Sequence, residues 1–266
     1  MNNSSSIIKL LNQFSLVQDD LGWNEDYQDD DLNWSTLCQL LGKTHAATLN
    51  TVDFDRKTHA LHAYYLGNPA TTLSKIRYEI DEKRNGRTFN TRISNALRDR
   101  DNVLTMFTSY HELEEGPSHE IALSDLSSPL EATIEEKIPS PTSYQAKPPI
   151  YSSSEAPSIV IKSTEILGSS KKAKIWTKWE EDLLNDSQVH QSLFSFLAGY
   201  SLFGWGLFPM SPTFLKASIS IWFHQPFEVD QWLLWITDES AKNSMQRTSI
   251  YSENGRLVAS LAKQLG

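Results

Sequence analysis

Hydrophobic positions in the first half of the chain change from helical to strand spacing. In residues 32–47, the apolar side chains Leu37, Leu40, Leu41 and Ala47 recur at helical intervals, which predicts a helix. Four β-rich stretches follow, each bounded by Gly, Pro, Asn or Asp: Ala60–Leu66, Leu73–Asp81, Thr88–Ala96 and Val103–Tyr110. Asn85-Gly86 and Asp99–Asn102 are natural hairpin turns. The pattern predicts one helix followed by an antiparallel meander.

Hydrophobic residues in the second half of the chain again show strand and helical spacing. The predicted elements are strands at Ile159–Ile166 and Ala173–Lys178, a helix at Ser187–Tyr200, and strands at Lys216–Phe223, Gln231–Thr237, Thr248–Ser252 and Arg256–Leu261. Asn254-Gly255 supplies another hairpin turn. Because the two halves share one plan, the chain is predicted to contain a duplicated α+β unit.

Composition sets the expected boundaries between these units. Residues 1–31 form an N-terminal segment that ends in the acidic run Asp29-Asp30-Asp31, which we interpret as solvated. Residues 116–158 are rich in Ser, Pro and Glu and are interpreted as a linker with some extended structure. The predicted folded units are therefore residues 32–115 and 159–266.

Charge and cysteine content narrow the classes of function. The formal net charge is -9, whereas a protein that binds nucleic acid through its phosphates needs a basic face. The single cysteine, Cys38, excludes an internal disulfide and a cysteine-based zinc site, which fits a reducing compartment. No apolar run approaches the roughly 20 residues that span a bilayer, and we read no export signal. The partners expected are therefore neither nucleic acid nor a membrane interior.

Four blocks of the second half carry a family resemblance. They are Val189-His190-Gln191, Ile221 to Phe227 with the sequence Ile-Trp-Phe-His-Gln-Pro-Phe, Trp232-Leu233-Leu234, and Gly255 to Ser260 with the sequence Gly-Arg-Leu-Val-Ala-Ser. Three blocks of the first half support them: His59–Leu66, Asn85–Phe89 and Met106–Tyr110. In order and spacing, these blocks resemble type II acyl-CoA thioesterases. The resemblance covers roughly residues 32–111 and 174–264.

The resemblance implies both a fold and a reaction. The implied fold class is α+β, a tandem or double hotdog in which two long helices are each wrapped by an antiparallel β-sheet. The implied reaction is hydrolysis of an acyl-CoA to a free acid and CoA, without a metal, another cofactor or a covalent intermediate. In this family, a helix N-terminus and hydrogen-bonding side chains polarise the thioester and hold the water. Self-association and a role in lipid metabolism are implied as well.

At the positions of the family's polar triad, this chain has residues of other types than the family. The triad consists of an Asp on the second helix, a Thr or Ser before the Trp-Phe-His block, and a Gln after Val-Ala-Ser. Ungapped counting places these positions at Gly199, Lys216 and Lys263. The nearest side chains of the expected types are Ser218 and Ser220 on the strand of Lys216, and Gln264 beside Lys263. A two-residue slip keeps a strand face, whereas a one-residue slip reverses it.

These matches give the candidate site residues. We take Ser218 and Gln264 as the candidate catalytic residues, and Gln39, His59 and Lys216 as the candidate substrate-binding residues. Gln39 comes from the family's Gly-Gly-Gln, which falls here on Leu37-Cys38-Gln39. His59 and His62 are not interpreted as metal ligands, because residues three apart on a regular strand point to opposite faces.

Other readings of these residues remain open. Trp222, Trp232 and Trp235 are expected in the core rather than in a stacking platform. The chain could bind an acyl chain or a partner without hydrolysis, or act on a fatty-acid or polyketide-derived thioester in specialised metabolism. The expected location is intracellular, in the cytoplasm or in peroxisomes, with no readable targeting signal. A hydrolase of acyl-CoA is the preferred interpretation.

Overall fold

The architecture comes from a computed structural model. It describes residues 16–20, 22–25, 34–66, 76–112, 120–121, 128–131, 134–139, 158–165, 172–180, 183, 185–202, 217–239 and 245–265. The chain divides into two compact units. The first contains residues 1–114, 186–220 and 263–266, and the second contains residues 115–185 and 221–262.

The first unit holds both long helices. Its elements are β1 (Leu16–Asp19), β2 (Gly22–Glu25), α1 (Trp34–Leu49), β3 (Arg56–Tyr65), β4 (Ile76–Asn85), β5 (Phe89–Arg98), β6 (Asp101–Glu112) and α2 (Ser187–Leu202). Its strands lie in the order β1-β2-β4-β5-β6-β3, and all described pairs among them are antiparallel. The predicted helix is confirmed, and so is the meander for β4, β5 and β6, whereas β3 pairs with β6 rather than with β4.

The second unit is built mainly from strands. Its elements are β7 (Ile134–Pro139), β8 (Ser158–Glu165), β9 (Lys172–Trp179), β11 (Leu233–Glu239) and β12 (Met245–Ser252), with a short 3-10 turn at Pro129–Glu131. The strand order is β12-β11-β9-β8-β7, again antiparallel. Two further strands, β10 (Ala217–Phe223) and β13 (Leu257–Leu265), are neighbours, and both run from one unit into the other.

Helices α1 and α2 are buried on nearly every side. Every residue from Gln39 to Leu49 is buried, and in α2 only the first residue and Tyr200 are not. A helix that is apolar around its circumference belongs in a core. The two helices pack closely at Gly42, where an added Cβ would lie 2.9 Å from the Cβ of Phe196. Glycine at this position allows the close packing of α1 against α2.

A β-bulge in β3 reverses one expectation from the sequence. The pairing of β3 with β6 shifts register between Thr58 and Ala60, and Ala60 and Leu61 are both buried in succession. A bulge inserts one residue and so changes which face the following residues occupy. His59 and His62 therefore share the more exposed face of β3. The expectation that they point to opposite faces is wrong because it assumed a regular strand.

Two further strands lie in the segments that were not assigned to a folded unit. The N-terminal segment contains β1 and β2, which pair with each other, and Leu16 and Trp23 are buried. The stretch interpreted as a linker contains β7, which pairs with β8 along its whole length. With 4 and 6 residues, β1 and β7 are short, so they depend on pairing with a neighbouring strand rather than on a hydrophobic pattern of their own.

The predicted hairpin turns are confirmed. Gly86 lies between β4 and β5, and its amide donates to the carbonyl of Phe89 at 3.0 Å. Asp99 adopts a φ of 54° between β5 and β6. Gly255 adopts a φ of 84° between β12 and β13, a left-handed conformation that glycine tolerates without steric cost.

The tryptophans divide between core and surface. Trp235 is 1% exposed and donates its indole N–H to the Thr177 hydroxyl at 2.9 Å. Trp222, by contrast, is 37% exposed. Ile221 and Phe223 on either side of it are buried, and side chains alternate along a strand. The prediction of a core position is therefore confirmed for Trp235 and wrong for Trp222.

Candidate active site

Asp186 defines the beginning of α2. Its carboxylate accepts a hydrogen bond from the amide of Gln188 at 2.9 Å, and its carbonyl accepts one from the amide of His190 at 3.2 Å. A side-chain oxygen at this position satisfies an amide that has no partner within the helix. Asp186 therefore acts as the N-cap of α2.

Two glutamines of α2 hold the helix against the edge of β3. The Gln191 amide oxygen accepts from the Thr58 N–H at 2.8 Å, and its NH₂ donates to the Thr58 carbonyl at 3.0 Å. One turn earlier, Gln188 donates to the carbonyls of Asp53 and Arg56 at 3.1 and 2.8 Å. The Gln191 side chain takes the place that a peptide of a neighbouring strand would have. Gln191 of the family-like His-Gln pair thus has a structural role.

His45 joins α1 to α2 and β3. Its Nδ1 lies 2.8 Å from the Ser195 hydroxyl, and its Nε2 lies 2.8 Å from the Thr58 hydroxyl. Ser195 donates its own proton to the Gln191 carbonyl at 3.1 Å, so we assign the ring proton to Nδ1 and the acceptor role to Nε2. Burial lowers the pKa of His45 to about 3, which the nearby backbone carbonyl of Gln191 partly opposes. The ring is therefore neutral at ordinary pH.

This Ser-His pair is not arranged for nucleophilic catalysis. An activated serine gives its proton to the imidazole, whereas Ser195 accepts from it. His45 and Ser195 are also completely buried. The cluster therefore positions the helices, and neither His45 nor Ser195 was singled out from the sequence.

Among the three triad positions, Lys263 is the one whose side-chain contacts the structure describes. Gly199 is buried in α2 and has no side chain, and Lys216 lies outside the described residues. Lys263, on β13, is buried and donates from Nζ to the carbonyl of Ser201 near the end of α2. The Ser201 hydroxyl lies 3.5 Å from the same nitrogen. Burial lowers the pKa of Lys263 from 10.5 to about 7.

The two predicted catalytic residues lie on the less buried sides of their strands. Ser218 and Ser220 are half-buried on β10, between the buried residues Ala217, Ile219 and Ile221. Gln264 is exposed, whereas its neighbour Lys263 is only 5% exposed. The register thus turns Lys263 inward. Roles for Ser218 and Gln264 stay predictions.

The predicted substrate-binding residues are separated by burial. Gln39 lies on α1 and is 7% exposed. His59 is exposed on β3, with Nδ1 at 3.2 Å from the Ser109 hydroxyl and its ring 5.8 Å from that of Phe89. Gln39 is thus buried on a helix whereas His59 is exposed on a strand, so the structure does not group the two residues. The role of each stays a prediction.

The structure also bears on metals and membranes. Within the described ranges, no three His, Cys, Asp or Glu side chains are grouped so that they could hold a metal ion. The helices that the structure describes include none that is long and apolar enough to span a bilayer.

Comparison with known proteins points to one family. A sequence model of the acyl-CoA thioesterase family matches residues 155–266. Acyl-CoA thioesterase 2 of Haemophilus influenzae is 21% identical over 266 aligned positions, which cover 92% of this chain and 92% of that protein. Acyl-CoA thioesterase II TesB2 of Mycobacterium marinum has a TM-score of 0.70 and 18% identity, covering 97% of this chain and 98% of its own.

A second solved structure identifies the fold. A hot dog fold protein from Alicyclobacillus acidocaldarius has a TM-score of 0.63 and 11% identity, covering 97% of this chain and 98% of that one. The antiparallel sheet and the two buried helices agree with this fold. The range matched by the family model contains all four sequence blocks of the second half, at residues 189–191, 221–227, 232–234 and 255–260. The chain therefore has a hot dog fold, and residues 155–266 are similar to the acyl-CoA thioesterase family.

Proposed function

We propose that this protein is a hydrolase that cleaves an acyl-CoA, or a related acyl thioester, to a free acid and CoA. The observation that carries this proposal is the match of residues 155–266 to the acyl-CoA thioesterase family. The similarity to Haemophilus influenzae acyl-CoA thioesterase 2 extends it to most of the chain. A place in fatty-acid metabolism follows from this substrate class.

The reaction needs a water, a polarised carbonyl and a leaving thiolate. Water adds to the thioester carbonyl carbon, and the C–S bond breaks as the resulting oxyanion collapses. Hydrogen-bond donors aimed at that oxyanion lower the barrier. We assign the hydroxyl contribution to Ser218 and an amide contribution to Gln264, with Gln39, His59 and Lys216 as substrate contacts. Support for the roles of Ser218 and Gln264 is that they are the nearest side chains of the expected types to the triad positions at Lys216 and Lys263.

The same proposal includes the detailed architecture. We infer a tandem double hotdog, with one unit at residues 32–115 and a second at residues 159–266, each sheet wrapping its own long helix. The repeated order of helix and strands along the chain supports this division. Limited proteolysis tests it, since the first cleavage should fall within residues 116–158 if the division is right, and cleavage within residues 32–115 or 159–266 would contradict it.

One alternative has a specific observation in its favour. Gly199 removes the triad carboxylate, and Lys263 places a buried amine at the triad position of Gln. A chain altered in this way could retain acyl-CoA binding without hydrolysis. A third proposal is that the altered residues act on a specialised fatty-acid or polyketide-derived thioester.

A thiol-release assay separates these proposals. The full-length protein is mixed with acyl-CoAs of short, medium and long chain, and free thiol is measured with a chromogenic disulfide. Turnover that depends on chain length supports the hydrolase, and loss of turnover in Ser218→Ala or Gln264→Ala supports the assigned roles. Calorimetric binding without thiol release, by folded protein, would instead support the acyl-binding alternative. Folded protein with neither binding nor turnover contradicts both.

Self-association and the site of action are proposals of the same kind. The family resemblance favours a homo-oligomer, which sedimentation of the full-length chain tests directly. It also favours the cytoplasm or peroxisomes, which imaging of the tagged chain beside compartment markers tests.

A further inference from the structure

Lys263 occupies an unusual place for a lysine. It lies on β13 after the buried residues Val258, Ala259 and Leu261, at a position whose side chain is only 5% exposed. Lysines ordinarily bury their methylene groups and keep the amine in water. Here the amine instead reaches the C-terminal turn of α2, where it meets Ser201. A buried amine at one of the family's triad positions requires a partner or a function.

Lys263 has two described hydrogen-bond acceptors, a number that a neutral amine can satisfy. A neutral amine has two N–H donors and one lone pair. The carbonyl of Ser201 accepts one donor, and the Ser201 hydroxyl oxygen lies 3.5 Å away to accept the other. Ser201 uses its own hydroxyl proton on the carbonyl of Ala198 at 2.7 Å, so it acts as an acceptor toward Lys263. The lone pair then remains to accept a proton from a water molecule.

Among the described residues, no carboxylate belongs to α2, β10, β12 or β13, and β12, which neighbours β13, carries Arg247 and Tyr251. The ionisable side chains of α2 are His190 and Tyr200, β10 carries none, and Lys263 is the ionisable residue of β13. His190 precedes Ser201 by about three turns of helix, or roughly 16 Å. Burial alone lowers the pKa of Lys263 to about 7, so a large share of the amine is neutral near neutral pH. A general base is most effective when its pKa lies near the working pH.

On the basis of the proposed thioesterase function, we propose that Lys263 is the general base that activates the hydrolytic water, with Ser201 as the residue that positions its amine. The lone pair of Nζ takes a proton from water while the water oxygen bonds to the thioester carbonyl carbon. The C–S bond then breaks, and the ammonium returns its proton to the CoA thiolate. The products are the free acid and CoA, and the amine is neutral again. No carboxylate at position 199 is required.

Substitutions at position 263 test this role. Lys263→Met removes the amine, whereas Lys263→Gln keeps an N–H donor for the Ser201 carbonyl but cannot take a proton. We expect both to lower kcat by about 100-fold or more with little change in KM, as for loss of a general base. In the unchanged protein, kcat/KM should rise with an apparent pKa near 7, and this limb should disappear in both variants. Lys83→Met, at an exposed lysine, is the matched control and should keep normal kinetics.

Positioning by Ser201 is tested separately. Ser201→Ala keeps the backbone carbonyl that accepts from Lys263 but removes the hydroxyl. We expect a smaller loss of kcat and a displaced pH limb, because the amine loses one partner. A purely structural serine would lower stability and leave the limb in place.

The outcomes separate failure of this inference from failure of the proposed function. If folded Lys263→Gln hydrolyses the substrate with the same pH limb as the unchanged protein, Lys263 is not the general base. The proposed thioesterase function then still stands. Absence of turnover in the unchanged protein overturns both. An independent readout is ¹³C NMR of lysine side chains, in which the signal missing from Lys263→Met should titrate near pH 7. Titration at the ordinary lysine pKa of 10.5 would contradict the proposal even if kcat fell.

Discussion

Replacement of Gln191 by Ala tests how α2 is held against β3. Both polar atoms of the Gln191 side chain bond to the backbone of Thr58, at 2.8 and 3.0 Å, and both residues are buried. The substitution leaves the N–H and the C=O of Thr58 without these partners. We therefore expect a large loss of stability from a residue that contacts no catalytic group.

The magnitude follows from the two backbone groups. A buried donor or acceptor left without a partner costs about 1–3 kcal/mol. Water that enters the space vacated by the side chain recovers part of this, and alanine is a slightly better helix former than glutamine. We expect the free energy of unfolding to fall by about 2–4 kcal/mol. Gln191→Met, which fills the space and excludes water, should cost at least as much as Gln191→Ala.

Urea unfolding followed by the fluorescence of the 8 tryptophans measures these differences. Gln18→Ala is the control, because Gln18 is exposed on β1 and such substitutions change stability by about 0.5 kcal/mol or less. If Gln191→Ala unfolds within about 1 kcal/mol of the unchanged protein, the glutamine does not replace a strand partner. If Gln191→Ala is destabilised and Gln191→Met is not, the loss of stability comes mainly from the cavity rather than from the lost hydrogen bonds to the backbone.

Other predictions follow from the same packing. Gly42→Ala should lower the melting temperature, because its Cβ would meet backbone atoms of Phe196 at 3.2 Å. The overpacking cost of about 1–3 kcal/mol exceeds the gain of about 1 kcal/mol from helix propensity, and a higher melting temperature would refute this. The pKa of His45 is about 3 in the folded state and 6.5 in the unfolded state. The contribution of the neutral, buried ring to the free energy of unfolding is therefore complete above pH 6.5. It is lost as the pH falls toward 3, because the unfolded state binds the proton first. At pH 5 the loss is about 2 kcal/mol, and His45→Asn should remove that share of the pH dependence of urea unfolding. The pKa of Lys263 falls from 10.5 to about 7, so its burial costs on the order of 5 kcal/mol at pH 7. Lys263→Met should therefore unfold at a higher urea concentration than the unchanged protein. This holds even after about 1–3 kcal/mol is deducted for the Ser201 carbonyl that loses its partner. A lower stability of the variant would contradict the burial cost of the lysine.

Local features of the fold could be read from residue spacing. The helix at Ser187–Leu202 and the turns at Gly86 and Gly255 lie where periodicity and turn chemistry predict them. The strand β1, by contrast, has four residues and no alternation long enough to be recognised. It forms because β2 offers it backbone partners. Short polar strands of this kind depend on pairing rather than on their own pattern.

The candidate site could be predicted less completely. A charged residue at an inward position of β13 is itself a signal, because lysine is rarely buried without a reason. The sequence alone, however, left open whether Lys263 or Gln264 faces inward. Ser201 carries no signal in the sequence, since a serine near a helix end is ordinary. Its meeting with Lys263, 62 residues away in the chain, depends on where β13 lies relative to α2.

Periodicity, turn residues and the ordered sequence blocks were enough to predict the class of fold and the family resemblance, because each depends on neighbours in the chain. The contacts that define the candidate site join residues far apart, such as Thr58 and Gln191, which are separated by 133 positions. A single inserted residue at the β3 bulge moved His62 to the face of His59. Side-chain direction in a strand has a period of two, so one step of register reverses it. The register of each strand is therefore determined only in the folded chain, where the strands are paired and the helices are packed.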